Sequence, residues 1–334
     1  MKKLALGIFI IAFLSGCQTT KVSLNFSEQK DDLYLFDAQS QFSQDIEVQE
    51  VLDIIARSGV QRVILSTTQR QPNNVVYEIA KQDPERIIPG ARLKIRSFHY
   101  GPEEEFEATL DRALASSPKY NVITEALIYH AKKIVPSDPE GRDRPEVSAD
   151  PYSPQLQYVI KRAKALDIPV VLHIESRSLA PERKLELWRS LEKLMRENPQ
   201  VSFVYTHLAQ LDSKDILKLL NKHENIYFFL QLATLTEHKS FSRNPFERDK
   251  WTCVFCEKPT CNKGDLKPEW EKLFLDHPKR FIFAMDGVEW PIWRYCYEDA
   301  VREWKIAISK LPKHVGRKIA HENAERLWHM KPLY

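Results

Sequence analysis

The chain has 334 residues, with 49 lysines and arginines against 46 aspartates and glutamates, which leaves a formal net charge of +3. This near balance, without a basic stripe, argues against nucleic acid as a partner, because nucleic-acid-binding proteins concentrate positive charge on one face. Only 9 residues are glycine and no Ser/Gly-rich linker interrupts the chain, so the pattern predicts one large domain.

The N-terminus is typical of a secretory signal. Two lysines precede an apolar run at residues 4–13, which is too short to span a bilayer. The run ends in Leu-Ser-Gly-Cys, with the cysteine at position 17. That sequence resembles the bacterial lipoprotein box, and the resemblance implies cleavage before Cys17 and lipid attachment to its thiol. An unlipidated secretory peptide is the alternative.

This resemblance divides the chain into three parts. We expect residues 1–16 to be a signal peptide, residues 17–31 a polar tether and residues 32–334 the folded domain. Gln18 stands where an Asp often retains such lipoproteins at the inner membrane. We therefore expect the lipid anchor at Cys17 to hold the protein at the outer membrane, facing the periplasm.

Short β-branched or aromatic runs alternate with amphipathic stretches through the domain. The predicted strands lie at 33–36, 62–66, 86–90, 121–126, 169–173, 201–207, 226–232 and 280–286. The stretches between them have helical spacing, as in Val48, Val51, Leu52 and Ile55. Eight such units predict an α/β fold, a parallel sheet closed into a (β/α)8 TIM barrel, with a cysteine-containing insertion after strand seven.

Polar residues of ligand type lie at or just after several predicted strands. They are Gln39, Gln41, His173, His207 and Asp286. Active sites of (β/α)8 barrels form at the C-terminal ends of the strands. We therefore expect these side chains to converge at that end of the barrel.

These residues carry a family resemblance. The sequence Asp-Ala-Gln-Ser-Gln at 37–41 resembles the D-x-H-x-H motif of the amidohydrolase superfamily with both histidines replaced by glutamine. His173, His207 and Asp286 match the superfamily's metal ligands on strands five, six and eight. The ending at 319–328 is similar to the I-x-x-x-N-A-x-R-L-F ending of its decarboxylase and lactonase-like branch.

The two glutamines bear on the metal chemistry. A carboxamide oxygen is a weak, uncharged ligand, so the half of the site built on strand one and Asp286 should lose most of its metal affinity. The resemblance implies a second metal position, for which strand four supplies Glu125. Glu125, His173 and His207 would then hold one divalent metal, with zinc expected, and leave a fourth position for water.

The resemblance also implies roles for the neighbouring residues. Asp286 would act as general acid and base towards the metal-activated water. Gln39 and Gln41 would hydrogen-bond the substrate or Asp286. The alternative for Glu125 is a salt bridge inside the barrel mouth.

Basic and aromatic residues follow several strands and are candidates for binding a small-molecule substrate. Arg92 and Arg177 would clamp a substrate carboxylate, because a guanidinium offers paired donors in a planar fork. Trp290 follows Asp286 and is a third candidate. A solvated surface role is the alternative for each.

The insertion after strand seven contains three closely spaced cysteines. Cys253, Cys256 and Cys261 lie there, and Cys296 follows further along the chain. A C-x-x-C pair with a third cysteine is compatible with zinc, but four thiols in an oxidising periplasm favour disulfides. Four cysteines allow three pairings, and the sequence does not choose among them.

Three functional interpretations remain open. The first is a metal-dependent hydrolase of an amide, ester or lactone bond, which includes decarboxylation as a variant. The second is a metal-free hydrolase of lactones or esters, in which Asp286 and basic residues activate water and hold an oxyanion. The third is a binding or structural lipoprotein that keeps the barrel without the chemistry.

Overall fold

A computed structural model describes most of the domain. The described residues are 33–68, 72, 74–116, 122–132, 145–231, 254–255, 261–288 and 290–333. They belong to one compact unit. The predicted signal peptide, Cys17 and the tether lie outside the described residues, and so do Cys253 and Cys256. Within the described ranges, no helix has the length and apolar character needed to cross a membrane.

Nine strands form the sheet framework of the described residues. They are β1 (Leu35–Phe42), β2 (Val60–Thr67), β3 (Ile87–Pro89), β4 (Ala126–His130), β5 (Val147–Ser148), β6 (Val170–Ile174), β7 (Phe203–Tyr205), β8 (Ile226–Phe229) and β9 (Phe281–Ile282). Their order is β1-β2-β3 in one sheet and β5-β4-β6-β7-β8-β9 in the other. Every pairing is parallel except that of β4 with the short β5.

Backbone hydrogen bonds join the two sheets at both seams. Ala91 donates to the carbonyl of Val122 at 2.8 Å, which connects the end of β3 to the segment before β4. Ala38 of β1 donates to the carbonyl of Phe283 at 3.1 Å, just after β9. The eight strands other than β5 therefore follow one another around a (β/α)8 barrel, as the alternation of strands and helices predicts.

Helices cover the outside of the strands. They are α1 (Val48–Ser58), α2 (Asn74–Gln82), α3 (Arg96–His99), α4 (Glu103–Ala115), α5 (Pro154–Leu166), α6 (Pro181–Glu197), α7 (Ser213–Lys222), α8 (Pro268–Asp276), α9 (Trp290–Tyr295), α10 (Tyr297–Lys310), α11 (Lys313–Arg317) and α12 (Asn323–Leu327). α1 shows how the sequence sets these elements. It buries an apolar stripe that includes Val51 and Ile55, and it ends at Gly59, whose φ of 76° suits a left-handed C-terminal cap.

The barrel interior is filled by side chains from alternate strand positions. They include Phe36, Ala38, Ile64, Ile88, Val171, Val204, Phe229, Ile282 and Ala284. Leu327 and Trp328 belong to the same cluster, which explains the helical ending noted in the sequence. Asn323 of that ending donates to the carbonyl of Phe281 at 2.8 Å and so ties α12 to β9. The ending is therefore a structural element of the barrel.

Two predicted strand boundaries differ from the structure. β1 continues to Phe42, so the glutamine motif lies inside the strand and does not follow it. Strand four was expected at 121–126, whereas β4 runs from Ala126 to His130 after a bridge at Ile123. Both strands continue because a neighbouring strand supplies backbone hydrogen-bond partners for the extra residues. The sequence of one strand alone does not show where its neighbour ends.

The cysteine prediction needs one correction. Cys296 carries a free thiol that is only 1% exposed at the start of α10, so it is not part of a disulfide. Burial raises the pKa of this thiol to about 11, which disfavours the thiolate that disulfide formation requires. Cys261 is disulfide-bonded.

Candidate functional site

Five of the predicted site residues lie at the C-terminal end of the barrel. Gln41 is on β1, Glu125 immediately precedes β4, His173 is on β6, His207 follows β7 and Asp286 follows β9. All five are at least nine-tenths buried. The structure therefore brings together residues that are up to 245 positions apart in the chain.

Gln41 bridges two carboxylates. Its Nε2 donates to Glu125 Oε1 at 3.1 Å and to Asp286 Oδ1 at 3.2 Å. Because ionised carboxylates only accept, the two neighbours fix the orientation of the amide with its nitrogen between them. Gln41 thus presents a donor to both carboxylates, and this part of the site does not fit a metal ion.

A register irregularity in β1 places Gln41 at this point. Phe36 and Ala38 face the barrel interior, and strict alternation would turn residue 40 inward next. The pairing of β1 with β2 slips between Asp37 and Ser40. The slip moves the inward position to Gln41, as a bulge does.

Glu125 is held on both oxygens. Lys94 forms an ion pair with Oε1, and His173 Nδ1 lies 2.9 Å from Oε2. The Lys94 side chain is 15% exposed and that of Glu125 is 2% exposed. Lys94 was not assigned a role from the sequence, although it follows β3 at the same end of the barrel as the ligand-type residues. It compensates the buried charge of Glu125 from within the chain.

Asp286 faces His207 across the barrel mouth. His207 Nε2 lies 3.4 Å from Asp286 Oδ2. Asp286 has a φ of 52°, and the four residues from His207 to Gln210 have φ between 51° and 53°. Residues other than glycine rarely adopt this left-handed conformation, and such strain is concentrated at functional sites.

Gln39 contributes to the site differently from Gln41. Its main-chain oxygen accepts from the Asp286 amide at 2.8 Å. Its side-chain Nε2 is buried and has no hydrogen-bond partner among the described residues. A buried donor of this kind is unusual in a folded protein and is a signal for a ligand oxygen.

Asp37 anchors this side of the barrel. It accepts hydrogen bonds from Ser40 Oγ at 2.6 Å, from the Tyr297 hydroxyl at 2.7 Å and from the Met285 amide at 2.8 Å. Burial raises the pKa of Asp37 to about 7, against the opposing effect of these hydrogen bonds. Asp37 therefore connects β1, the segment after β9 and α10.

A second group of ligand-type residues lies beside His173. The nitrogens of His130 and His173 and a carboxylate oxygen of Glu175 all lie within 4.8 Å of one another. Glu175 Oε1 is 3.6 Å from His173 Nε2 and 3.8 Å from His130 Nε2. Two imidazoles and a carboxylate are a donor set of catalytic zinc sites, so these residues fit a divalent metal.

The sequence reasoning missed His130 and Glu175. The signal for Glu175 was present, because it lies two positions beyond His173 and so on the same side of an extended chain. His130 is five positions beyond Glu125, which predicts the opposite face. The register between β4 and β6 shifts between Leu127 and Tyr129. This shift turns His130 to the side of Glu125 and brings it opposite Glu175.

The remaining predicted residues lie around the mouth. Arg92 donates to Thr67 Oγ1 at 3.1 Å and to the carbonyl of Thr68, at the end of β2. Arg177 is exposed in a short 3-10 turn after β6. Trp290 is 37% exposed at the start of α9. The structure leaves the proposed carboxylate clamp and the role of Trp290 as predictions.

Comparison with known proteins identifies the family and the fold. The family described as Amidohydrolase matches residues 44–330, a span that begins just after the glutamine pair. No curated protein matches the chain. Several solved structures share the fold at low sequence identity.

Three of these structures illustrate the similarity. An uncharacterised TIM-barrel protein from Bordetella bronchiseptica is 14% identical with a TM-score of 0.53, over 84% of this chain and 82% of that one. A dihydroxybenzoic acid decarboxylase from Polaromonas, solved with bound manganese, is 12% identical with a TM-score of 0.54, over 89% and 97%. A dihydroorotase from Campylobacter jejuni is 14% identical with a TM-score of 0.51, over 90% and 84%.

Proposed function

Because the chain belongs to the amidohydrolase family, we propose that it is an enzyme that hydrolyses an amide, ester or lactone bond of a small substrate at the barrel mouth. The observation that carries the proposal is the pair of Asp286 and His207, 3.4 Å apart on two strained turns. Strained backbone persists only where the surrounding structure holds it, and here it holds both side chains within 3.4 Å of each other.

Asp286 is the proposed general base and acid. Gln41 holds its Oδ1 and His207 faces its Oδ2, so the carboxylate has a fixed orientation. In the reaction, Asp286 accepts a proton as the water oxygen bonds to the substrate carbonyl carbon. It then returns that proton to the leaving nitrogen or oxygen as the scissile bond breaks.

Gln39 is the proposed contact to the substrate oxygen. Its Nε2 is a buried donor without a partner among the described residues, and its main-chain oxygen accepts from the Asp286 amide. A substrate carbonyl or carboxylate oxygen would satisfy this donor, and the hydrogen bond would strengthen as negative charge develops on that oxygen. Arg92 and Arg177 would extend recognition to an anionic substrate.

The family implies a divalent metal, and the residues that fit it are His130, His173 and Glu175. When bound, such an ion polarises a carbonyl and lowers the pKa of its water. The role of Glu125 is then to orient His173 through the 2.9 Å contact with Nδ1.

A metal-free hydrolase is the second candidate, favoured by a separate observation. Lys94, Gln41 and the two histidines provide contacts to every oxygen of Glu125 and Asp286. The carboxylates are therefore compensated by the chain itself. In this reading Asp286 activates water without a Lewis acid, and the substrate range narrows to esters and lactones with better leaving groups.

The proposal is tested with the purified protein and a panel of N-acyl amino acids, lactones and aryl esters. The matched variants are Asp286→Asn, which keeps the shape of the side chain, and Asp276→Asn on the exposed face of α8. We expect kcat to fall about 10²- to 10⁴-fold in Asp286→Asn, the usual contribution of a general base. The Asp276→Asn variant should retain wild-type rates.

The same panel separates the two candidates. If a chelator abolishes turnover and added Zn²⁺ or Mn²⁺ restores it, the metal-dependent hydrolase is supported. Turnover that survives the chelator supports the metal-free hydrolase. Equal rates for the wild type and Asp286→Asn contradict the role of Asp286, and a folded wild type that turns over no member favours a binding protein.

A further inference from the structure

We propose that this barrel holds its divalent metal on His130, His173 and Glu175, with Glu125 positioning His173 from outside the coordination sphere. The inference deepens the metal-dependent form of the proposed function. It differs from the metal set that the family resemblance implies, in which Glu125, His173 and His207 are the ligands. The argument rests on distances, on the orientation of the three ligands, on charge and on access.

The distances favour the new set. The three ligand atoms lie within 4.8 Å of one another. Ligand bonds of about 2.0–2.1 Å in a tetrahedral zinc site place ligand atoms about 3.3–3.5 Å apart. Because Glu175 Oε1 is already 3.6 Å and 3.8 Å from the two histidine nitrogens, only the separation of the imidazoles needs to contract appreciably.

Each ligand is oriented by a hydrogen bond on its other polar atom. His130 Nδ1 lies 2.9 Å from the carbonyl oxygen of Ala131, and since a carbonyl only accepts, Nδ1 carries the hydrogen and Nε2 is directed towards Glu175. The Ala131 amide donates to Glu175 Oε2 at 2.8 Å and directs Oε1 to the histidines. One residue, Ala131, thus positions two of the three ligands.

His173 is oriented in the same manner by Glu125. Its Nδ1 is 2.9 Å from Glu125 Oε2, and its Nε2 faces Glu175 at 3.6 Å. A carboxylate on one imidazole nitrogen and a metal on the other is the usual arrangement around a ligating histidine. If Glu125 were itself a ligand, the metal would compete with His173 Nδ1 at Oε2 or with the Lys94 ammonium at Oε1.

Charge and access agree with this assignment. Lys94 and Gln41 already compensate Glu125, whereas Glu175 lies between two imidazoles that are good metal ligands. The His130 side chain is 16% exposed, and those of His173 and Glu175 are 5% and 3% exposed. The group therefore lies at the edge of the buried cluster, where three protein ligands leave a position that water or substrate can reach.

Metal stoichiometry and spectroscopy test the assignment without relying on turnover. Wild type and variants are stripped with chelator, reloaded with Zn²⁺ or Co²⁺, and measured by elemental analysis and by the visible absorption of bound Co²⁺. We expect about one equivalent in the wild type, because a preformed set of three protein ligands supports one ion. His130→Ala and Glu175→Gln should lose that equivalent and the Co²⁺ bands.

Two further variants discriminate ligands from their neighbours. Glu125→Gln should weaken binding about 10- to 100-fold, as expected when a partner of a ligating histidine is removed. His207→Ala should keep the full equivalent. His130→Phe repeats the first test with the ring packing against His173 preserved, since the two rings are 5.4 Å apart. Circular dichroism of the metal-free variants checks that each one folds.

The outcomes separate this inference from the proposed function. Retention of metal in His130→Phe and Glu175→Gln, with loss in His207→Ala, would assign the ion to Glu125, His173 and His207 and overturn the inference. Hydrolysis dependent on Asp286 would still stand in that case. No bound metal in the reloaded wild type also overturns the inference, and the Asp286→Asn comparison then reports separately on metal-free hydrolysis.

Discussion

The two sides of the barrel mouth compensate the charge of their buried carboxylates differently. On the β1 side, Glu125 and Asp286 are compensated by the amide of Gln41 and the ammonium of Lys94. On the β4 and β6 side, Glu175 is placed between two imidazoles within ligand distance. The comparison teaches that donors of the chain compensate the carboxylates of the β1 side, whereas two imidazoles and a carboxylate that suit a metal meet on the β4 and β6 side.

The two sides are coupled through one contact. His173 Nδ1 reaches Glu125, and its Nε2 faces Glu175. A substitution that removes a donor from Glu125 will therefore also change the orientation of His173. This coupling makes the comparison testable by substitutions on the β1 side alone.

The largest effect is expected from Lys94→Met. The substitution leaves the Glu125 carboxylate buried with less compensation, and breaking a buried ion pair costs about 3–5 kcal/mol of unfolding free energy. The double variant Lys94→Met/Glu125→Gln removes both charges and should recover most of that loss. Urea unfolding of the two variants measures the effect, with Lys94→Arg as the variant that keeps the charge. Equal stabilities for the single and double variants would show that Lys94 is not compensating Glu125.

A smaller loss of unfolding free energy, which metal should reverse, is expected from Gln41→Glu. The new carboxylate faces Glu125 and Asp286, and like charges at this separation should reduce the unfolding free energy by about 2 kcal/mol. Mn²⁺ or Zn²⁺ should restore the stability by binding to the three carboxylates. Thermal unfolding with and without metal measures this, with Gln41→Leu as the uncharged control. If metal stabilises both variants equally, the β1 side has not become a metal site.

A pH dependence of the unfolding free energy is set by Asp37, which anchors the β1 side. Its pKa is raised to about 7 by burial, well above the value of about 3.9 in an unfolded chain. The stabilising contribution is therefore complete below about pH 4 and is lost as the pH rises to about 7, because the unfolded state ionises first. Asp37→Asn mimics the protonated acid and should flatten this part of the stability curve.

Urea unfolding at several pH values between these limits gives the measurement. Glu325 is the control, because burial also raises its pKa to about 7. It lies 3.4 Å from Arg62 near the start of β2, away from the strand ends that form the mouth. Glu325→Gln should remove the contribution of Glu325 to the pH dependence of the unfolding free energy and leave the contribution of Asp37. A stability curve for Asp37→Asn that parallels the wild type would show that the slope arises elsewhere.

Much of the site was predictable from chain order alone. His173 and Asp286 were expected at strand ends, and they lie there because alternation within a strand and the parallel order of strands are local properties. Gln41 was expected to hydrogen-bond the substrate or Asp286, and the structure places its amide 3.2 Å from that carboxylate. Lys94 was assigned no role from the sequence, since nothing local identifies Glu125 as its partner.

His130 shows why the rest was not predictable. Its side-chain direction depends on a register shift between β4 and β6, and register is a property of two strands and not of either sequence. Cys296 is a second example. Its spacing to other cysteines suggested a disulfide, but its burial at the junction of α9 and α10 isolates a free thiol.

The sequence by itself determined the order of strands and helices, the end of the barrel where the polar residues gather and the presence of glutamines, which are weak metal ligands, on strand one. Those properties follow from periodicity and residue type, which are local. Only the tertiary structure decided which atoms meet: the Lys94 ion pair, the two-sided contact of His173 and the approach of His130 to Glu175. The physical reason is that strand register and bulges are set by backbone pairing between distant segments, and they fix side-chain direction.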